Sequence, residues 1–389
     1  MSKIITDEQK INELLERGVE NIYPSKNELK KVLLSGKKLS IYNGIDPTGP
    51  TLHIGHGSTL LKLRELQDLG HDIILLIGDF TGRIGDPTDK NAVRKQLSTQ
   101  EIKNNLKNYT KQASSILDIN KIKVKFNSKW LSKLTFAEVI DIASEFTLQQ
   151  MIERDMFEKR IKSGQPIHLH EFLYPLMQGY DSVAMNVDME IGGNDQTFNM
   201  LIGRTMMKNR GKEKYVLTTK LLVDPTGKKM GKSEGNMVTL EDKPNEMFGK
   251  IMSWPDSLVP LAFEICTRAK IPTQIQDPKS TKLDLAVEIT KIYHGNKKSL
   301  TAKDFWEKTF SKKEIPEEVE SIVVEKDTKL VDILLKNKII ASKNEFRRLV
   351  ESGAVTNMDL NQKVLTQNEL VKSGVYRIGK KRFCKIEIK

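Results

Sequence analysis

Ile73 to Ile77 is a run of five consecutive apolar residues, preceded by Asp72 and followed by Gly78. A strand with one wet face alternates in polarity, whereas a strand that is apolar at every position must be covered on both faces. Such a strand needs helices on either side of a sheet, and the neighbouring chain supplies them. Leu39 to Ile45 reads as a short strand broken by Pro47, Gly49 and Pro50. A helix follows from about Ile54, with Leu60, Leu61, Leu63, Leu66 and Leu69 on its apolar side, and Gly70 closes it. Ser98 with Glu101, Thr135 with Glu138 and Thr147 with Gln150 have the spacing of capping boxes at helix starts. Asn186 to Ile191 and Tyr215 to Val223 read as further strands. The alternation predicts an α/β fold with a parallel sheet between helices.

After about Thr239 clear strands stop, and Leu283 to Tyr293 reads as an amphipathic helix. Ser311 to Lys329 is charged, contains Pro316 and reads as a linker. A compact piece follows: a helix at Leu330 to Asn337, a second at Ser342 to Glu351 ended by Gly353, then short strands including Arg382 to Ile388. Charge is distributed unevenly. The whole chain carries +12, and Lys326 to Lys389 alone holds 15 Lys/Arg against 7 Asp/Glu, a net of +8. A uniformly solubilising surface would not concentrate charge so, and a basic patch attracts nucleic acid. No stretch approaches the roughly 18 apolar residues of a membrane span. Met1 to Lys10 has neither the apolar core nor the small-residue cleavage site of a signal peptide. Cys266 and Cys384 are far apart in sequence, which argues against a disulfide framework or a cysteine metal cluster and fits a reducing compartment. A cytoplasmic location follows by elimination, and no membrane partner or protein-bound metal is expected.

Two motifs carry chemistry. His53-Ile54-Gly55-His56 lies where the first strand passes into its helix. Ligands of a parallel sheet bind at the carboxyl ends of strands, and a helix N-terminus there offers N–H groups to phosphate. Gly55 would allow close approach to the backbone, and the histidines can donate to phosphate oxygens. Lys229-Met230-Gly231-Lys232-Ser233 sits in a Gly-rich polar segment from Asp224 to Asn236, suited to carrying cations to a polyphosphate. Either motif alone could be a chance helix cap or an exposed basic turn. Together they resemble the paired signatures of class I aminoacyl-tRNA synthetases, the first matched in full and the second except for Gly231 in place of the usual serine.

Two other segments narrow the choice of amino acid. In Tyr174-Pro175-Leu176-Met177-Gln178-Gly179-Tyr180-Asp181, a helix would place Tyr174, Gln178 and Asp181 on one face. A hydroxyl, an amide and a carboxylate facing one way suit a ligand with both an ammonium and a hydroxyl. Gly192-Gly193-Asn194-Asp195-Gln196, between a strand and a helix, can set an acid beside a close backbone approach. With Tyr42 to Thr48 and Ile77 to Pro87, these segments look like the tyrosyl-tRNA synthetases of the bacterial type, over nearly the whole chain. The resemblance implies a Rossmann-like parallel-sheet catalytic domain over 1–240 with a helical insertion at about 110–185. It further implies a helical anticodon-binding domain and linker over 241–325 and a small α+β, S-four-like RNA-binding domain over 326–389.

By the same resemblance, Tyr42 and Asp181 would hold the phenolic hydroxyl of tyrosine. Asp86, Tyr174 and Gln178 would hold the ammonium, with Gln196 nearby. Asp46, Thr48, Gly55, Gly192, Asp195, Met230 and Ser233 would face ATP or the adenylate, and His53, His56, Lys229 and Lys232 would meet the reacting phosphates. Arg347, Arg348, Lys380, Lys381 and Arg382 would touch tRNA, mostly through its phosphates. ATP is then a substrate, with Mg2+ bound through its phosphates. Tyrosine and tRNA are the other partners, and a homodimer is implied, with its interface between about Thr110 and Tyr180. The tryptophan-specific relatives share both signatures but usually lack such a tail, and a hydroxyl-reading pair would not serve an indole. A synthetase-derived RNA-binding protein without catalysis stays open at this point. A small-molecule nucleotidyltransferase would account for neither the lysine loop nor the tail.

Overall fold

The computed structural model describes residues 3–86, 98–153, 155–223, 237–272, 274–311, 321–325, 327–360, 362–379 and 382–388. The chain divides into two compact units, Met1–Lys303 and Asp304–Lys389.

Among the described residues, the first unit is built on six strands: β1 (Val19–Tyr23), β2 (Ser40–Ile45), β3 (Asp72–Ile77), β4 (Ile122–Phe126), β5 (Met189–Gly193) and β6 (Tyr215–Thr219). Their order across the sheet is β1-β6-β5-β2-β3-β4. From β6 to β4 the strands run parallel, with β2 pairing residue for residue along β3. Ile73 to Ile77 are all buried, as the apolar run predicts. The edge departs from the expected parallel sheet. β1 pairs antiparallel with β6, and its five residues between Gly18 and Pro24 are too short and mixed in polarity to stand out in sequence. A second difference lies at β5, which starts at Met189 rather than Asn186. Asn186 takes a φ of 49° and terminates the helix Leu169–Met185; asparagine tolerates that left-handed conformation better than most residues.

β2 lies between β3 and β5, so the chain leaves β2 in one direction and the second half of the sheet builds in the other. A crevice opens at the carboxyl ends of strands where the order reverses in this way, and ligands occupy it. Asp46 immediately follows β2, and Asn194 and Asp195 immediately follow β5. The helix Ile54–Asp68 crosses from β2 to β3, and ten of its fifteen residues are buried, polar Ser58, Thr59, Lys62 and Gln67 among them, which explains why apolar and polar positions alternate weakly along it. Gly70, at a φ of 95°, lets the chain turn back into β3 where a side chain would be strained. The three expected capping boxes are present at Ser98, Thr135 and Thr147. Helices Pro244–Met252, Val259–Cys266 and Pro278–His294 also belong to this unit, and the hydroxyl end of Tyr293 lies against Gly57.

In the second unit, helices Leu330–Lys336 and Lys343–Glu351 pack on a sheet of β7 (Ser321–Val324), β8 (Val355–Asn357), β9 (Gln362–Lys363), β10 (Gly374–Ile378) and β11 (Arg382–Ile388). Among the described residues its order is β7-β11-β10-β8-β9. Ser321–Val324 falls inside the segment read as a linker. Its Ile-Val-Val run has the β-branched side chains that favour an extended edge strand, and it pairs parallel with β11. Among the described residues, no helix is long and apolar enough to cross a membrane.

Candidate active site

His53 is the N-cap of the helix Ile54–Asp68, and the two signature histidines form a reciprocal box. His53 Nδ1 accepts from the Gly55 N–H at 3.2 Å, and His56 Nδ1 accepts from the His53 N–H at 3.2 Å. Each ring therefore accepts at Nδ1, which places the proton of the neutral imidazole on Nε2. The rings lie 4.0 Å apart between centroids. Burial and the adjacent His53 push the His56 imidazole down to about 3, so it is a neutral donor at physiological pH. Gly55 has a reason within the chain itself: a Cβ there would press on the His53 ring at 3.0 Å. The glycine makes room for the capping ring.

At the end of β2, Asp46 accepts from the Thr81 hydroxyl at 2.7 Å and from the Tyr174 hydroxyl at 2.8 Å. Gly78 is required here, since a Cβ would collide with the Asp46 carboxylate and the Thr81 hydroxyl. Thr48 is exposed, with its N–H turned back to the Asp46 carbonyl at 2.8 Å. Gly192 sits where a Cβ would meet Met200 Sδ at 3.0 Å, and Asp195 is the middle residue of the turn Asn194–Gln196 after β5.

Tyr174, Gln178 and Asp181 all lie on the helix Leu169–Met185, and Tyr174 and Asp181 are buried. The Asp181 carboxylate accepts from Trp130 Nε1 at 2.7 Å and from Asn127 Nδ2 at 3.2 Å. Burial raises its pKa against the pull of these two donors. Tyr42, fully buried, bonds Ser182 Oγ at 2.9 Å rather than Asp181 itself. Burial, with the charges of Glu190 and Asp181 behind it, also raises the Tyr42 phenol. Asp86 and Gln196, 110 residues apart, meet at 2.6 Å. Gln196 Oε1 accepts from Asn199, which also donates to Gln178 Oε1, and Gln178 Nε2 donates to Glu190 at 3.1 Å. Asp46, Tyr174 and Asp181 thus sit among hydrogen bonds at the ends of β2 and β4, while Asp86, Gln196 and Gln178 belong to a separate chain that runs through Asn199 to Glu190.

Sequence reading missed Trp130, Asn127, Ser182, Glu190, Lys214 and Asn199. Glu190 had a usable signal, an acid between Met189 and Ile191 in a buried strand. Asn127 did too, as the residue that follows β4 at its carboxyl end.

The signature lysines Lys229 and Lys232, with Met230 and Ser233, lie outside the described residues, as do Lys380 and Lys381. In the second unit, Arg347 and Arg348 are exposed on the helix Lys343–Glu351, Arg347 bonding Glu351 at 2.8 Å. Arg382 is held by Glu345 at 2.8 Å and by the Ile339 carbonyl at 2.5 Å, so it ties β11 to the helical side of the unit.

Residues 34–311 match the family model of tRNA synthetases class I (W and Y). The chain is 42% identical over 392 residues to tyrosine–tRNA ligase 2 of Clostridium acetobutylicum, covering 96% of this chain and 97% of that protein. It is 40% identical over 395 residues to tyrosine–tRNA ligase of Thermotoga maritima, covering 98% of each. Among solved structures, a C-terminally truncated mitochondrial tyrosyl-tRNA synthetase of Aspergillus nidulans matches at 25% identity and a TM-score of 0.64, over 76% of this chain and 92% of that one. The tyrosyl-tRNA synthetase of Archaeoglobus fulgidus, solved with L-tyrosine, matches in fold at 22% identity and a TM-score of 0.59, over 76% of this chain and all of that one.

Proposed function

This chain belongs to the class I tRNA synthetases and, within them, to the tyrosine–tRNA ligases, and we propose how its own residues divide that work. The enzyme uses ATP to activate tyrosine and then loads it onto tRNA. The tyrosine carboxylate is ionised at neutral pH and needs no general base. Its oxygen attacks the α-phosphorus of ATP, the bond to the bridging oxygen breaks, and pyrophosphate leaves. The protein's task is positioning and charge stabilisation.

His53 and His56 donate from Nε2 to the phosphates, a role supported by the box that fixes both Nδ1 atoms as acceptors. Lys229 and Lys232 meet the departing pyrophosphate, with Met230 and Ser233 alongside the nucleotide. Asp46, Thr48, Gly55, Gly192 and Asp195 face ATP and the adenylate. Asp181, with Tyr42 beneath it, holds the phenolic hydroxyl, and Asp86, Tyr174, Gln178 and Gln196 surround the ammonium. The single observation that carries this assignment is Asp181, a buried carboxylate at the foot of the crevice held by Trp130 and Asn127. Magnesium bound through the phosphates of ATP would neutralise part of their charge. Asp46 already accepts from Thr81 and Tyr174, which favours a cation carried by the phosphates over one caged by this carboxylate. In the second step a ribose hydroxyl at the tRNA terminus attacks the adenylate carbonyl and AMP leaves. Segments 241–325 and 326–389 take the anticodon-binding and S-four-like RNA-binding roles, with Arg347, Arg348, Lys380, Lys381 and Arg382 on the RNA side. The enzyme works in the cytoplasm.

Tyrosine-dependent exchange of labelled pyrophosphate into ATP tests the pocket, with phenylalanine and tryptophan in parallel. Exchange with tryptophan alone would overturn it. Lys232→Ala lowers the activation rate by about a hundredfold while tyrosine binding, followed by fluorescence titration, stays unchanged. An unaltered rate removes Lys232 from the mechanism.

The homodimer is part of the same proposal. Phe136, Ile140, Leu148, Ile161, Leu169 and Leu173 are exposed, Phe136 and Leu169 at 80% and 84%. Exposed apolar side chains gathered in one stretch of chain mark an interaction surface. Light scattering should give twice the monomer mass, falling to the monomer in Phe136→Asp/Leu169→Asp. A wild-type monomer would refute the dimer.

A further inference from the structure

A chain of hydrogen bonds runs from Asp86 through Gln196, Asn199 and Gln178 to Glu190, and ends at Lys214. A carboxylate stands near each end and can only accept when ionised. Gln178 spends its amide N–H on Glu190, so its carbonyl oxygen faces Asn199. Gln196 spends its N–H on Asp86, so its carbonyl oxygen faces Asn199 as well. Asn199 meets both carbonyls with one amide nitrogen, and its own Oδ1 is buried with no partner among the described residues. Turning Asn199 over would set that oxygen against two acceptors. The direction of every amide in the chain therefore depends on the two acidic ends.

Glu190 and Lys214 are 2% and 0% exposed. They bond each other across β5 and the start of β6, and Lys214 also donates to the Met200 carbonyl at 3.2 Å. A buried ion pair gains little stability over well-packed apolar side chains of the same volume. The pair therefore asks for a role beyond stability, and its position beneath Gln178 suggests one.

We propose that the Glu190–Lys214 pair is a positioning device for tyrosine activation, holding the Gln178 amide so that its carbonyl oxygen, not its NH₂, is offered to the substrate ammonium. This rests on the assignment of Gln178 to the ammonium. A glutamine offered the other way round would present two N–H groups to a cation and repel it. Gln178 and Lys214 both donate to Glu190, and a carboxylate held between two donors offers Gln178 no N–H or O–H in return. A group in its place that can donate as well as accept takes away the amide's single orientation. Glu190 and Lys214 do not touch the reacting atoms. They act through Gln178.

The test uses the full-length enzyme in pyrophosphate exchange with Glu190→Gln, which keeps the shape but can donate as well as accept. The expected result is a rise in the KM for tyrosine of about tenfold or more, with kcat within about twofold. The inhibition constant of 3-(4-hydroxyphenyl)propionate, which is tyrosine without its amino group, stays the same. An equal loss for both ligands would mean a merely structural pair and would overturn the proposal, as would an unchanged KM. Glu190→Gln/Lys214→Met removes both charges, leaves no unpaired buried ion, and should show the same split if the single variant does not fold. Gln178→Ala separates the two levels of inference. If it leaves the ratio of tyrosine to analogue binding unchanged, the assignment of Gln178 fails. If it shifts the ratio and Glu190→Gln does not, only the role of the ion pair fails.

Discussion

Asp181→Ala lowers kcat/KM for tyrosine in pyrophosphate exchange by about 10²- to 10³-fold, and changes the value for phenylalanine far less. The reason lies in what the carboxylate leaves behind. Trp130 Nε1 and Asn127 Nδ2 both end on Asp181, and alanine strands these donors in a buried site. That cost falls on the fold and is common to both amino acids; the tyrosine-specific part is the bond of its hydroxyl to a charged acceptor, worth about 1.5–3 kcal/mol, with about 1–3 kcal/mol more where the buried hydroxyl is left unpaired, and each 1.36 kcal/mol is a factor of ten. In the proposed complex the tyrosine hydroxyl loses its acceptor at the same time. Phenylalanine never had that bond, so discrimination between the two collapses. Equal losses for both amino acids would place Asp181 in the scaffold rather than in the recognition of the hydroxyl. Thermal melting of the variant separates that outcome from simple unfolding.

Replacing both signature histidines, His53→Ala/His56→Ala, slows adenylate formation by about 10³-fold or more, since each donor aimed at developing charge is worth about 10²–10³. Tyrosine affinity stays within about twofold, because neither ring belongs to the tyrosine side of the crevice. Loss of the His53 cap also costs about 1 kcal/mol of stability. Single-turnover kinetics with saturating ATP separate the rate from binding. A rate within tenfold of wild type would exclude the pair from the transition state. The pH dependence carries a further sign. His56 titrates at about 3, below the ordinary imidazole value of 6.5. The folded enzyme therefore keeps His56 neutral from pH 8 to pH 5, and its rate shows no titration of this group there. As pH falls from 6.5 towards 3 the unfolded chain takes up the proton first, so this histidine contributes a loss of stability in acid.

Much of the fold was legible because local chemistry sets it. The apolar run Ile73 to Ile77 had to become a strand covered on both faces. The capping residues Ser98, Thr135 and Thr147 act on N–H groups three residues away, a relation visible in any sequence. The signature histidines were legible as a motif, and their placement at a helix start followed from the break at Pro47 to Pro50. Elements that draw their stability from distant partners were harder to see. β1 owes its existence to β6, nearly 200 residues away, and β7 to β11. Neither is long or alternating enough to declare itself.

The site divides along the same line. The residue types and spacing of Tyr174, Gln178 and Asp181 were sufficient to place three polar groups on one helical face, because helical periodicity is a local property. The hydrogen bonds that orient them were not available from spacing. Trp130 and Asn127 reach Asp181 across about 50 residues, Asp86 reaches Gln196 across 110, and Tyr174 reaches Asp46 across 128. Hydrogen-bond geometry depends on ångström-scale distances between strand ends, and only the packed sheet brings those ends together. The sequence by itself determined which groups are present, which helices and central strands form, and which family the chain belongs to. The tertiary structure decided which nitrogen of each signature histidine accepts, which way each amide in the pocket turns, and why Gly78 must lack a side chain. Composition and periodicity report burial and local propensity, whereas donor direction and steric exclusion arise only when distant segments share the same small volume.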